Sequence, residues 1–137
     1  MKKRRKKWRE IVGKENKWRN IKLAGKRAEE KVGSTLKELK NKGKISSYLK
    51  TTPYSKEDRA HIDFKIYLSN TARPILLSVK SSIWKENIKA WGLKEIERGI
   101  FYREDEQGRV IFYLSVRQVL NLKKAIERIL REHSKVV

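Results

Sequence analysis

The sequence predicts a single α/β domain in which a central mixed β-sheet of about four to five strands is flanked by helices. Two neighbouring segments, 61–68 and 74–82, alternate apolar and polar residues in the manner of strands. Two others, from about 20 to 42 and from about 117 to 132, carry apolar residues at helical spacing. A length of 137 residues is enough for one domain with a modest core.

The composition indicates a polyanionic partner. The chain carries 36 Lys and Arg against 16 Asp and Glu, a formal net charge of +20, which favours nucleic acid ahead of an anionic membrane surface. The apolar content of 38% is too high for a disordered basic tail. The sequence has neither a bilayer-spanning apolar run nor a secretory signal, so we expect a cytoplasmic protein without a membrane partner. The absence of cysteine excludes disulfides and thiolate metal sites.

Residues 1–19 are predicted to form a basic arm ahead of the domain at 20–137. Like charges at this density repel one another, so the arm by itself is expected to be disordered or a fraying helix. We predict that it neutralises phosphates while tryptophan stacks on bases; the alternative is a solubilising tail with Trp18 in the core. The arm residues predicted to bind nucleic acid are Lys2, Lys3, Arg4, Arg5, Lys6, Lys7, Trp8 and Arg9.

The first helix is predicted over about 20–42, with Asn20 as its N-cap and Gly43 just past its end. Glu29 precedes Val32 by three residues and Leu36 by seven, so it borders or enters the apolar stripe of this helix. An ordinary surface role, paired with nearby lysines, is the alternative for Glu29. The stripe consists of Ile21, Ala24, Ala28, Val32, Leu36 and Leu39.

The two strand-like segments bring an aspartate and a lysine together. Turn-forming residues at 69–74 join the segments as an antiparallel hairpin. Alternation assigns the apolar residues of 61–68 to one face: Ile62, Phe64, Ile66 and Leu68. The corresponding apolar face of 74–82 consists of Ile75, Leu77 and Val79. Asp63, Ser78 and Lys80 then project from the other faces, and charges there are costly unless paired or coordinated. A cross-strand salt bridge is the plain alternative.

The remaining elements complete the predicted domain. Residues 43–60 are predicted to be an irregular connector with strand character at 45–49, and 83–98 to be helical in part, with a break at Gly92. Strands are predicted at 99–104 and 109–116, the second buried and central. Arg59 and Lys65 are further candidate phosphate contacts. Trp84 and Trp91 are a candidate apolar surface for a homodimer, or else core aromatics.

These residues together resemble a known family. Asp63, followed after fourteen residues by Ser78-Val79-Lys80, and a preceding helix that carries Glu29, resemble the PD-(D/E)xK nuclease superfamily and, within it, the Holliday-junction-resolvase branch. The resemblance extends over about residues 25–82 and implies a restriction-endonuclease-like fold. Gly25 and Glu29 match the family's spacing of a glutamate four residues after a glycine. The sequence departs from the family at Ser78, where the second acidic residue is expected.

The resemblance also implies a metal site and roles for its residues. Glu29 and Asp63 would hold Mg²⁺ or Mn²⁺, with the carbonyl of Val79 as a further ligand, and Lys80 would stabilise developing charge or orient the nucleophile. Ser78 is the variant member of this catalytic set. Because a neutral hydroxyl replaces a charged ligand there, metal binding is expected to be weak or absent unless Glu29 compensates.

Three functions follow, in this order of preference. The first is a metal-dependent DNA endonuclease acting on duplex or branched DNA. The second is a catalytically inactive nucleic-acid-binding protein with the nuclease fold, which the serine at position 78 motivates. The third is an RNA-associated structural protein of the ribosomal kind, which size and charge suggest but which leaves Asp63 and Lys80 unexplained. The residue pattern does not select a substrate structure.

Overall fold

The computed structural model of the chain describes residues 23–52 and 61–136, the latter without the side chain at 136. In chain order the elements are α1 over 23–41, β1 Ser47–Lys50, β2 Phe64–Tyr67, β3 Ile75–Lys80, α2 Lys85–Trp91, β4 Lys94–Glu97, β5 Ile100–Glu104, β6 Val110–Ser115 and α3 Leu122–Val136. The predictions for the basic arm at 1–19, for Asn20 and for Arg59 lie outside the described residues.

The strands form one mixed six-stranded sheet in the order β1-β2-β3-β6-β5-β4. Strands β1, β2 and β3 are antiparallel neighbours, β3 and β6 run parallel, and β6, β5 and β4 are again antiparallel. The predicted α/β class, the hairpin of β2 and β3, and the central position of β6 are therefore confirmed. The described residues contain one strand more than the upper end of the prediction.

The additional strand is β4, within a segment for which the sequence predicts helix in part. Helix α2 does form there, ends at Trp91 and is capped by Gly92, whose φ of 64° is the left-handed conformation that glycine adopts easily. The chain then continues as β4, an edge strand whose residues are exposed except for the half-buried Ile96. Such a strand has no buried face to impose a clear alternation, so its sequence resembles a polar loop or helix.

The core lies on both faces of the sheet. On one face, α1 and α3 cover the sheet through the buried residues Val32, Leu36, Leu39, Ile126 and Ile129. On the other face a smaller cluster lies under α2, formed by Ile62, Leu76, Ile83, Leu93, Phe101, Ile111 and Tyr113. The predicted apolar stripe of α1 is confirmed from residue 28 onward. The sheet therefore has a thick helical layer on one side and a short helix on the other.

Strict alternation fails at the start of β2. Phe64 and Ile66 pack in the larger cluster as predicted, but Ile62 packs in the smaller one on the opposite face. The cause is local, because Leu77 of β3 lies opposite both Asp63 and Phe64. Phe64 is the register partner of Leu77, and the N–H of Asp63 donates to the carbonyl of Leu77. Two residues opposite one is the arrangement of a β-bulge, which shifts the alternation by one residue.

The last helix begins later than its apolar pattern predicts, at Leu122 instead of Arg117. After β6 the chain turns, with the N–H groups of Gln118 and Val119 donating to the carbonyl of Ser115. The side chain of Asn121 then accepts a 3.0 Å hydrogen bond from the N–H of Lys124, as an N-cap does. The cap, not the apolar spacing, fixes where α3 starts. No helix within the described residues combines the length and apolar character needed to cross a membrane.

Candidate active site

Asp63 is held in the bulge by main-chain groups of both neighbouring strands. Its N–H donates to the carbonyl of Leu77, and its own carbonyl accepts from the N–H of Thr51, each at 2.8 Å. Its carboxylate oxygen Oδ2 accepts a 2.6 Å hydrogen bond from the N–H of Val79. The bulge therefore aims the side chain at the end of β3 instead of leaving it in the regular alternation.

Glu29 approaches Asp63 from α1. Its sequence neighbours on the core side, Ala28 and Val32, are buried, while the Glu29 side chain keeps 30% of its surface exposed. The Glu29 carboxyl lies close enough to Asp63 for its charge and side-chain hydrogen bonding to raise the pKa of Asp63. The Nζ of Lys50 lies 3.8 Å from Oε2 of Glu29. Glu29 thus lies at the border of the apolar stripe, where its spacing predicts it.

The electrostatics of Asp63 argue against a simple salt bridge. Burial raises the pKa of this carboxyl most; the N–H of Val79 lowers it, the charge and hydrogen bond of Glu29 raise it, and the charge of Lys80 lowers it. The net result is a pKa of about 6, well above the ordinary value for aspartate. A carboxylate engaged mainly with a lysine would have a lowered pKa. The second carboxyl and the burial therefore outweigh Lys80.

Lys80 lies at the end of β3, between Asp63 and an aromatic cluster. Its positive charge acts on Asp63, and its Nζ lies 5.4 Å from the centroid of the Trp91 ring. Its carbonyl accepts a 2.9 Å hydrogen bond from the N–H of Val116, just after β6. Both strands thus hold the backbone from which the lysine projects. The structure brings Glu29, Asp63 and Lys80 to one end of the sheet.

Val79 carries a further oxygen atom on the side of Asp63, and its neighbour Ser78 carries a buried hydroxyl. The N–H and C=O of one residue in a strand project to the same edge, so the carbonyl of Val79 points to the side on which its N–H meets Asp63. Ser78 is fully buried, and its Oγ has no hydrogen-bond partner among the described residues. A buried hydroxyl without a partner costs free energy unless water or an ion satisfies it.

These oxygen donors fit a divalent cation with two acidic ligands. Carboxylate, carbonyl and hydroxyl oxygens are the donors that Mg²⁺ and Mn²⁺ prefer. The described part of the chain contains no group of three or more His, Cys, Asp or Glu side chains able to hold a metal ion. The close approach of the Glu29 and Asp63 carboxyls is a feature that a cation would relieve.

The other predicted contact within the described residues, Lys65, lies apart from this site. It lines a separate cavity of about 700 Å³ together with Arg73, Arg109 and the buried His133. Three basic side chains on one cavity agree with a phosphate-binding surface. The role of Lys65 in nucleic-acid binding stays a prediction.

Sequence reasoning missed three residues beside Lys80. Trp91, Arg103 and Tyr113 line a cavity of about 260 Å³ with it. No spacing signal could have joined them, because they come from α2, β5 and β6 and meet only in the folded sheet. Trp84 and Trp91 are 62% and 39% exposed, so the alternative that they are core aromatics is wrong. The homodimer stays a prediction.

The fold and the site together define an α/β protein with a carboxylate pair and a lysine at the end of its central strands. Comparisons of the chain with protein-family models, with curated proteins and with solved structures return no match.

Proposed function

We propose that this protein is a metal-dependent DNA endonuclease that hydrolyses phosphodiester bonds at a site formed by Glu29, Asp63 and Lys80. The observation that carries the proposal is the close approach of the Glu29 and Asp63 carboxyls: burial raises the pKa of Asp63 most, and the neighbouring Glu29 raises it further. Two acidic groups held together cost free energy when no cation accompanies them. Perturbed groups of this kind cluster at functional sites. The net charge of +20 supports a polyphosphate substrate.

Each residue has a distinct task in the proposed reaction. Glu29, Asp63 and the carbonyl of Val79 would hold Mg²⁺ or Mn²⁺, which when bound supplies a polarised phosphoryl oxygen and an acidified water. The N–H of Val79 engages Oδ2 of Asp63 and so orients the carboxylate. Lys80 would place a positive charge next to the scissile phosphate and stabilise the charge that develops on its oxygens.

We also propose a restriction-endonuclease-like fold for this protein, with a cytoplasmic location. The order helix, three antiparallel strands, helix, and a later strand parallel to the third supports a restriction-endonuclease-like fold. The basic arm at 1–19, Arg59 and Lys65 would grip the backbone phosphates of duplex or branched DNA. A cytoplasmic location is part of this reading of the chain.

One observation favours a second candidate function. Ser78 stands where the resembled family has an acidic residue, and it is fully buried. A site with one fewer negative ligand binds a hard cation less tightly. The second candidate is therefore a catalytically inactive protein of the same fold that binds nucleic acid through its charge.

A cleavage panel tests the proposal and separates the two candidates. Wild-type protein is incubated with single-stranded, duplex and branched DNA in Mg²⁺ or Mn²⁺, next to Glu29→Gln, Asp63→Asn and Lys80→Ala. We expect cleavage by the wild type and a loss of about 100-fold or more in each variant, with DNA binding retained. The matched control is Glu38→Gln, on the same helix but exposed and paired with Lys42.

The panel has two outcomes that would contradict the proposal, one for the site and one for the activity. Cleavage by Asp63→Asn at the wild-type rate would show that the site is not the one proposed. Salt-sensitive DNA binding by the wild type without cleavage of any substrate in either metal would leave the inactive alternative.

A further inference from the structure

The cavity beside Lys80 is the feature that the proposed reaction leaves unexplained. It has a volume of about 260 Å³ and is lined by His61, Lys80, Ala90, Trp91, Arg103 and Tyr113. Among these described lining residues none is acidic. Lys80 links the cavity to the carboxylate pair, because its charge also acts on Asp63. The cavity therefore adjoins the point at which the proposed scissile phosphate would lie.

One wall of the cavity is an aromatic pair. The rings of Trp91 and Tyr113 are stacked, with centroids 6.1 Å apart and planes inclined by 29°. Tyr113 is buried, whereas 39% of the Trp91 surface is exposed. Trp91 is the last residue of α2, and the turn after it is fixed by the N–H of Leu93, which donates to the carbonyl of Ile88 at 2.9 Å. An exposed indole on a fixed backbone offers a flat surface for stacking.

The cations of the cavity lie over these rings. The Nζ of Lys80 is 5.4 Å from the centroid of Trp91, and the guanidinium carbon of Arg103 is 5.8 Å from that of Tyr113. The Nε of Arg103 also donates a 2.7 Å hydrogen bond to Oη of Tyr113, which fixes its head group. Aromatic faces next to positive charges are what proteins use to bind unpaired nucleotides, with bases on the rings and phosphates on the cations.

The size of the cavity limits its occupant. Small-molecule pockets generally span about 300–1,000 Å³, and a cavity of about 260 Å³ has a size that suits a single planar group such as one base. A base within a continuous duplex is stacked and cannot enter such a pocket without being extruded. An unpaired base pays little or none of that cost.

We propose that this cavity binds a single unpaired nucleobase, stacked on Trp91, whose adjoining phosphate faces Lys80. Resting on the proposed function, this assigns the substrate class: DNA with an unpaired nucleotide next to the cleaved bond, as in a single strand, a flap or a branch point. Continuous duplex would bind through its phosphates alone and leave the cavity without a base.

The test measures binding without cleavage. The Asp63→Asn variant in EDTA is titrated with fluorescent DNA that carries one unpaired 2-aminopurine, and with the same DNA fully paired. We expect tighter binding of the unpaired probe by about tenfold or more, with quenched 2-aminopurine emission from stacking. Equal affinity for the two probes, without quenching, would overturn the proposal.

Tryptophan variants test whether Trp91 is the residue responsible for the preference for the unpaired probe. In the Asp63→Asn background, Trp91→Leu should remove the preference for the unpaired probe, whereas Trp84→Leu should retain it. Trp84 is the matched control because it lies at the other end of α2, is 62% exposed and does not line the cavity. Equal loss of preference in both variants would contradict the assignment. The comparison of probes on Asp63→Asn alone decides the question if Trp91→Leu does not fold.

The two proposals fail separately. A preference for the unpaired probe in a protein that cuts nothing supports the base-binding cavity and refutes the endonuclease. A nuclease that binds and cuts fully paired duplex as well as gapped DNA keeps the proposed reaction and overturns the assigned substrate class.

Discussion

The carboxylate of Asp63 accepts a hydrogen bond of 2.6 Å from the N–H of Val79, one residue before Lys80. This bond ties the acidic group of one strand to the backbone that carries the basic group of the next. It exists because the bulge opposite Leu77 removes Asp63 from the regular alternation of β2. The geometry of the proposed site thus depends on an irregularity in the sheet.

Asp63→Asn is expected to stabilise the protein at neutral pH. The folded-state pKa of Asp63, about 6, lies above its ordinary value of 3.8, so the folded state holds this proton more tightly than the unfolded state does. The stability that protonation contributes is present below pH 4 and is lost as the pH rises through 6. Asparagine carries no charge, so at pH 7.5 the variant should be more stable by about 1–3 kcal/mol.

Urea unfolding at pH 4, 5, 6 and 7.5 measures this effect. The free energy of unfolding of Asp63→Asn should exceed that of the wild type by an amount that grows with pH. Glu38→Gln is the control with the opposite sign, because hydrogen bonds from Lys42 and Lys123 lower the pKa of Glu38. If the difference in free energy of unfolding between Asp63→Asn and wild type is constant over this pH range, folding does not raise the pKa of Asp63.

Divalent metal is expected to stabilise the wild-type fold. A ligand that binds only the folded state at hundredfold excess over its Kd adds about 2.7 kcal/mol. Thermal unfolding with and without Mn²⁺ should therefore show a higher Tm for the wild type, and no shift for Glu29→Gln or Asp63→Asn. Glu38→Gln should respond as the wild type does. An equal Mn²⁺ response in all four proteins would indicate binding elsewhere on the chain.

Ser78→Ala should distinguish a role of the Ser78 hydroxyl in stability from a role in metal binding. The Oγ of Ser78 is buried without a partner among the described residues, so its removal should leave stability in chelator unchanged or raise it by about 1 kcal/mol. Binding of Mn²⁺ should weaken if the hydroxyl contributes to the site. Ser78→Asp is the complementary change, with tighter Mn²⁺ binding and lower stability in chelator, because an unpaired buried carboxylate is costly. Destabilisation by Ser78→Ala would show that the hydroxyl has a structural partner.

Acid is expected to destabilise the protein through His133. This side chain is buried, packs edge-on to Phe112 with ring centroids 6.3 Å apart, and has its pKa lowered by burial. The unfolded state therefore binds a proton more readily, and stability falls as the pH drops below about 6.5. Lys65, Arg73 and Arg109 line the same cavity as His133.

His133→Leu should lose this part of the pH dependence between pH 7 and 5, as measured by thermal unfolding. His61→Asn is the control: it removes the other histidine of the chain while keeping a residue that tolerates the left-handed backbone at position 61. If both variants retain the acid sensitivity of the wild type, His133 is not its source.

The sequence predicts much of the layered architecture from periodicity alone. The stripe of α1, the faces of β3 and the central position of β6 follow from where apolar residues must be buried. It could not predict β4, whose exposed edge carries no such pattern, or the start of α3, which Asn121 fixes by capping. Patterns driven by burial are visible in a sequence, whereas edges and caps depend on particular hydrogen bonds.

The sequence by itself determined that Glu29, Asp63 and Lys80 stand in this order on a helix and two strand-like segments of an α/β domain with a large positive charge, because spacing and composition are properties of the chain. Only the tertiary structure decided that the two carboxyls touch, that Ile62 and Phe64 lie on opposite faces, and that Trp91, Arg103 and Tyr113 surround Lys80. The physical reason is that each of these features depends on groups that are far apart in sequence. They exist only once strand register, a bulge and a parallel pairing have been fixed by the packing of the whole sheet.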